Sequence, residues 1–166
     1  MEIFYGEVFK ALNKAKVKYV VAGGVAVVLY GYFRHTGDLD LIVFLEKKNL
    51  ENFYKALKTI NYWPKVPVTV EQFSDSNQRD QWKKEKGMIV FSFVYRKPPF
   101  QLIDMFVDEP IPFEELYNKK INIRAQGVKI PLIGIDHLLK LKKIAGRDKD
   151  LNDIVQLKEI KRIQKI

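Results

Sequence analysis

One segment, Val20 to Phe44 (VVAGGVAVVLYGYFRHTGDLDLIVF), constrains this chain more than any other. It places Asp38 and Asp40 inside an otherwise apolar run that reads as a strand from Asp38 to Leu45. Strand side chains alternate between faces, so residues two apart share one. Leu39, Leu41 and Val43 then face one layer, and Asp38, Asp40 and Ile42 the other. Two carboxylates close together on one face repel each other, and burial makes this worse. A shared divalent cation removes the penalty, and magnesium suits such a pair because it completes its shell with water and phosphate oxygens. Taken alone, the Asp-x-Asp pattern fits equally a strand end where both acids are solvated or paired with lysine.

The first half of the segment adds Gly23-Gly24 between a buried strand, Val17 to Ala22, and a short helix, Val25 to Tyr30. Glycines there let backbone approach a ligand closely and present its N–H groups. The helix that follows turns its positive end toward the same place, which favours phosphate. A plain strand-to-helix turn has the same sequence. Thirteen residues separate Gly24 from Asp38, room for one short helix and its return. The glycine turn and the acids are therefore expected at neighbouring ends of adjacent strands, a geometry suited to a nucleoside triphosphate and its metal.

Around this segment the periodicity predicts a helix over residues 2–15, with Ile3, Phe4, Val8, Leu12 and also Phe9 on one side. A second helix is expected over Asn49 to Ile60. The stretch Tyr62 to Val70, with two prolines, reads as irregular or as an edge strand. An exposed helix over 77–86, a hairpin of Met88–Tyr95 with Phe100–Val107, and a short hairpin of Ile121–Arg124 with Val128–Leu132 follow. From Asp136 onward the chain reads as two helices divided by Gly146. Helices packed on a mixed sheet give an α+β fold. A single domain is expected over 1–166, with a core to about 110 and a C-terminal hairpin and helical pair beyond it.

There are no cysteines, which excludes disulfides, a thiol nucleophile and cysteine-ligated metals. The apolar run Val17 to Tyr32 is broken by Lys18 and three glycines, and the N-terminus has no apolar signal-peptide core. A soluble, cytoplasmic protein with no membrane partner is expected. The net charge of +9 suits nucleic acid, nucleotides or other polyanions, and equally a lysine-rich solvated surface. His35 is expected to be exposed and His137 to serve structure. Trp63, Phe73 and Trp82 either line an acceptor pocket or pack, with packing favoured. Neither a P-loop nor a dinucleotide fingerprint occurs.

Gly23-Gly24, a short helix and Asp38-Leu39-Asp40 resemble the defining motif of the nucleotidyltransferase fold shared with DNA polymerase β. The longer string, Gly23-Gly24-Val25-Ala26 through Arg34-x-Thr36-x-Asp38-Leu39-Asp40-Leu41, resembles the branch of AbiEii-type toxins and small bacterial and archaeal relatives. So does Leu141-Lys142-x-x-Ala145-Gly146-Arg147-x-Lys149-Asp150-Leu151-x-Asp153. The matches cover the N-terminal quarter, a strand near the middle and the last third. The chain is shorter than most AbiEii-type toxins.

The resemblance implies a nucleotidyltransferase fold with a third carboxylate on a later strand. Asp104, an isolated acid in the apolar run Gln101 to Phe106, is the candidate, with Asp108 a weaker competitor. It further implies that Asp38, Asp40 and Asp104 hold magnesium as a two-metal site and carry catalysis. Gly23, Gly24, Arg34 and Thr36 would bind the nucleotide, with Lys142 and also Arg147 or Lys149 reaching the triphosphate. Asp150 and Asp153 are expected to cap or brace the last helix.

The implied activity moves a nucleoside monophosphate from an NTP donor such as ATP to a hydroxyl of tRNA, a protein or a small antibiotic-like molecule. A toxin with an antitoxin partner is one setting for it. The rival is a non-catalytic nucleotide- or RNA-binding module, against which the intact set of three acids speaks. A metal-dependent phosphohydrolase would need more histidine than the two present.

Overall fold

The computed structural model describes residues 5–166, so Ile3 and Phe4 of the expected first helix lie outside the described residues. The chain runs α1 (Gly6–Lys14), β1 (Tyr19–Val21), α2 (Gly23–Leu29), β2 (Asp38–Val43), α3 (Lys47–Thr59) and β3 (Tyr62–Pro64). It continues with α4 (Val70–Ser74), α5 (Ser76–Lys86), β4 (Val90–Tyr95) and β5 (Leu102–Phe106). The last part holds α6 (Phe113–Asn118), β6 (Ile121–Ala125), β7 (Val128–Leu132), α7 (Ile135–Ala145) and α8 (Asp148–Gln164). Among the described residues the strands form one seven-stranded sheet in the order β3-β4-β5-β2-β1-β7-β6. The sheet is mixed: β2 runs parallel to β5 and β1 parallel to β7, while the other neighbours are antiparallel. The β6–β7 hairpin therefore joins the sheet that carries β2.

Alternation sorts the two faces. Leu39 and Leu41 of β2, Ile103 and Met105 of β5, and Phe91 and Phe93 of β4 are buried side by side on one face. Helix α3 covers this face through Phe53 and Tyr54, whose rings meet Phe93 edge-on at 5.4 and 5.0 Å. The opposite face receives Asp38 and Asp40, with Asp104 and Ser92 in register beside Asp40.

The start of α3 is fixed twice. Glu46 caps it, its carboxylate accepting from the Lys48 and Asn49 N–H groups at 2.9 and 3.0 Å. Buried Asn49 accepts from Lys18 N–H at 2.8 Å and donates to the Lys18 and Phe44 carbonyls at 3.0 and 2.9 Å. It thereby ties the entry of β1 to the exit of β2, behind the acidic pair.

β3 is the edge strand expected near Tyr62; Pro64 is its last residue, and Pro67 lies just beyond it. Two short helices, α4 and α6, were not expected; they have five and six residues, too few to show a period. Phe73 is fully buried against Trp82, whereas Trp63 stands half-buried at the sheet edge. Among the described residues no helix is long and apolar enough to cross a membrane.

Candidate active site

Gly23 and Gly24 form the first turn of α2 rather than a separate turn ahead of it. Gly23 has φ +60°, and a β-carbon there would lie 1.8 Å from Asp40 Oδ2. No side chain fits that space, so glycine is what admits the Asp40 carboxylate to the helix start. A β-carbon on Gly24 would lie 2.4 Å from Thr36 Oγ1 and 3.0 Å from Arg34 Nη2. Gly24 thus makes room for the loop that leads into β2. Its N–H favours the charged form of Asp40.

Asp40 and Asp104 are direct partners across the parallel β2–β5 pair, and Asp38 sits two residues earlier on the same face, exposed at the strand end. Burial raises the Asp40 carboxyl from an ordinary 3.8 to about 6, and the Asp104 charge adds to it. The Gly24 N–H and the Lys142 ammonium oppose that rise, and Asp38 reinforces it. Burial also raises Asp104; the Ser92 hydroxyl, donating to Asp104 Oδ1 at 2.6 Å, pulls back, as does the charge of Lys65. Asp108 lies elsewhere, paired with Lys83.

Beside Asp40 runs a chain of alternating charges. Arg34 meets Asp153 through Nε–Oδ1 at 2.8 Å and Nη2–Oδ2 at 2.9 Å. Lys142 lies between Asp153 Oδ2 at 2.8 Å and Asp150 Oδ1 at 3.0 Å. Arg147 closes the chain on Asp150, with Nε–Oδ2 at 2.6 Å and Nη2–Oδ1 at 3.2 Å. Asp150 also accepts from the Arg147 N–H at 3.2 Å, which braces the first turn of α8 as expected. Burial works against the Asp150 charge, but Arg147 and Lys142 outweigh it and hold the carboxyl at about 2. Asp150, Asp153 and Lys142 are buried; Arg147 is exposed at its outer side, and Lys149 stands exposed outside this chain of pairs.

Sequence reasoning expected Asp150 and Asp153 to brace a helix and missed that they bind Lys142 and Arg34. The signal was there: two acids three apart on α8 flank the same face as buried Ile154 and Leu157. His35 is exposed, and His137 is buried with its Nε2 2.8 Å from Glu115 Oε1, as expected of a structural residue.

The acidic site fits a hard divalent cation in its chemistry. Three carboxylates repel one another on one face, and burial disfavours the charge of two of them, Asp40 and Asp104. Among the described residues no three His, Asp or Glu side chains stand close enough together to hold a metal ion by themselves. A cation here would therefore complete its shell with water and phosphate oxygens, which is how magnesium is usually held.

No protein-family model matches the chain, and comparison of its sequence with curated proteins finds no match. Solved structures do match. The lincosamide antibiotic adenylyltransferase LnuA, bound to lincomycin, superposes with a TM-score of 0.60 at 18% identity, covering 96% of this chain and 99% of that one. An antigenic nucleotidyltransferase-like protein from Paracoccidioides brasiliensis gives 0.58 at 18% identity, covering 92% and 72%. ANT(2″)-Ia in complex with adenylyl-2″-tobramycin gives 0.58 at 11% identity, covering 91% and 83%. The chain has the mixed-sheet α+β fold of these nucleotidyltransferases.

Proposed function

We propose that this chain is a magnesium-dependent nucleotidyltransferase that moves a nucleoside monophosphate from an NTP to an acceptor hydroxyl. The observation that carries the reading is the Asp40–Asp104 pair, set in register across two parallel strands beside Asp38, with Asp40 pushed up to about 6. Like charges gathered on one face repel one another, and a bound divalent cation would relieve them. The fold shared with antibiotic adenylyltransferases supports the same reading, as does the resemblance in the motif residues.

Asp38, Asp40 and Asp104 would hold the metal, which when bound polarises the phosphates and offsets charge on the leaving pyrophosphate. Asp104 receives the proton of the acceptor hydroxyl as that oxygen attacks the α-phosphorus. Burial raises its pKa and so makes it a stronger base than a solvated carboxylate, and the Ser92 hydroxyl fixes its orientation. Gly23 and Gly24 allow donor phosphates to approach the backbone beside Asp40. Arg34, Thr36, Lys142, Arg147 and Lys149 supply polar and positive groups for the triphosphate. Of these Arg147 and Lys149 are the exposed ones, whereas Lys142 and Arg34 act from within the buried charge chain. An RNA, a protein side chain or a small molecule each offers a hydroxyl, and a toxin restrained by an antitoxin is one setting for such transfer.

The test is calorimetric titration with each of the four NTPs, with and without magnesium, on the wild type and on Asp38→Ala/Asp40→Ala. Magnesium-dependent binding of one NTP, lost in the double variant, supports the reading and names the donor. No NTP binding under any condition refutes it and leaves a binding module.

A further inference from the structure

At the free edge of the sheet, between α3, β3 and the segment that leads into α4, lies an open groove of about 990 Å³ that the transfer site does not use. Four cations line it: Lys55 and Lys58 of α3, Lys65 just past β3, and Arg96 just past β4. Two carboxylates, Glu51 and Glu71, offset them only in part. At its wall Arg96 lies 4.6 Å and Lys58 5.6 Å from the centroid of the Trp63 ring. Tyr54 also lines the groove; it is 5% exposed, and its hydroxyl has no hydrogen-bond partner among the described residues. A buried hydroxyl without a partner is costly unless a ligand supplies one.

The groove leads toward the acidic face. The Lys65 N–H donates to the Ser92 carbonyl at 2.9 Å, and the Ser92 side chain holds Asp104. The Lys65 charge acts on Asp104 directly. β3 lies two strands from β5, so the backbones of these two strands run roughly 10 Å apart. An aromatic ring among cations that track toward a transfer site is the arrangement that binds single-stranded nucleic acid, bases on the ring and phosphates on the cations. A polyamine acceptor would be repelled by the same cations.

We infer that this groove holds a single-stranded nucleic acid whose terminal hydroxyl is presented at Asp104. The strand is the acceptor of the proposed transfer, and the inference rests on that reading. A base takes the Trp63 face from Lys58, whose ammonium turns to a phosphate.

The test uses a short 5′-fluorescein-labelled oligouridylate and its deoxy counterpart, read by anisotropy and by tryptophan fluorescence. Lys58→Glu/Arg96→Glu reverses two exposed charges outside the core, and its thermal unfolding is recorded beside the binding to show that it stays folded. It is expected to weaken oligonucleotide binding about tenfold or more and to lower the salt-dependence slope by about 1.4, while magnesium-NTP binding stays as in the wild type. The oligonucleotide is expected to quench tryptophan emission, and Trp63→Leu to abolish the quench while Trp82 still emits. Binding unaffected by the charge reversal overturns the inference. So does inorganic tripolyphosphate that competes as well as the oligonucleotide does, since the groove would then be a phosphate site alone. Groove-dependent oligonucleotide binding by a chain that binds no NTP overturns the transfer reading and the acceptor role, and leaves a nucleic-acid site.

Discussion

Replacing Asp40 with asparagine removes a charge that the fold holds at a cost, and the size of that cost follows from the site. The carboxyl sits at about 6 against an ordinary 3.8, so in the folded chain it keeps its proton longer than in the unfolded one. A tenfold change in proton affinity is worth about 1.4 kcal/mol, so the ionised form destabilises the metal-free fold by up to about 3 kcal/mol. The sign is that of a raised acid. Below about pH 4 Asp40 is protonated in both states and costs nothing; stability then falls as pH rises through about 6 and stays low above it.

Asparagine keeps the shape and still offers an oxygen to the Gly24 N–H. Asp40→Asn is therefore expected to stabilise the metal-free protein by up to about 3 kcal/mol above pH 7, or roughly 6–12 °C in Tm for a chain of this size. The gain is expected to vanish near pH 4. Magnesium relieves the same repulsion and is expected to raise the Tm of the wild type but not of the variant. Urea denaturation of both proteins across this pH range, with and without magnesium, measures it. A variant no more stable than the wild type at neutral pH, with a difference that does not change on acidification, shows that the buried site does not hold the Asp40 charge at a cost.

Gly23→Ala combines a positive φ with a β-carbon 1.8 Å from Asp40 Oδ2. Loss of about 1–2 kcal/mol from the backbone alone is expected, together with loss of magnesium-dependent NTP binding, read by denaturation and calorimetry. Ser92→Ala takes the 2.6 Å hydrogen bond from Asp104 and is expected to raise its pKa further and weaken magnesium binding about tenfold, measured by titration with the metal. Asp153→Ala strips a buried carboxylate from Lys142 and Arg34 and is expected to cost about 3–5 kcal/mol in urea denaturation. Asp150, held at about 2, contributes stability that is complete above about pH 4 and is lost as pH falls through 2; Asp150→Asn is expected to flatten that acid limb in a pH-stability profile.

The acidic pair was legible because its signal is local. Two acids two apart in an apolar run identify a strand and a face without knowledge of any partner. The place of Asp104 was only half legible. An acid in an apolar strand is visible in the sequence, but its register with Asp40 comes from a parallel pairing between strands some sixty residues apart, which no local pattern encodes. The glycines announced a close backbone approach, yet what approaches is first of all the chain's own Asp40. Lys142 read as a phosphate ligand on a solvated helix. Its burial between Asp150 and Asp153 depends on α8 docking beside the loop that carries Arg34, a tertiary event. The groove at Trp63 was hidden because its residues come from α3, β3 and the end of β4, and only the sheet edge assembles them.

Asp38, Asp40 and Asp104 are proposed to hold a metal together on a nucleoside triphosphate. The most direct measurement is a crystal structure with manganese and an NTP analogue that resists cleavage at the α-phosphate, read by anomalous scattering. Manganese is expected bound by these three carboxylates, with the triphosphate lying toward Gly23 and Gly24. Nucleotide bound away from the three acids, with no anomalous peak among them, would contradict it.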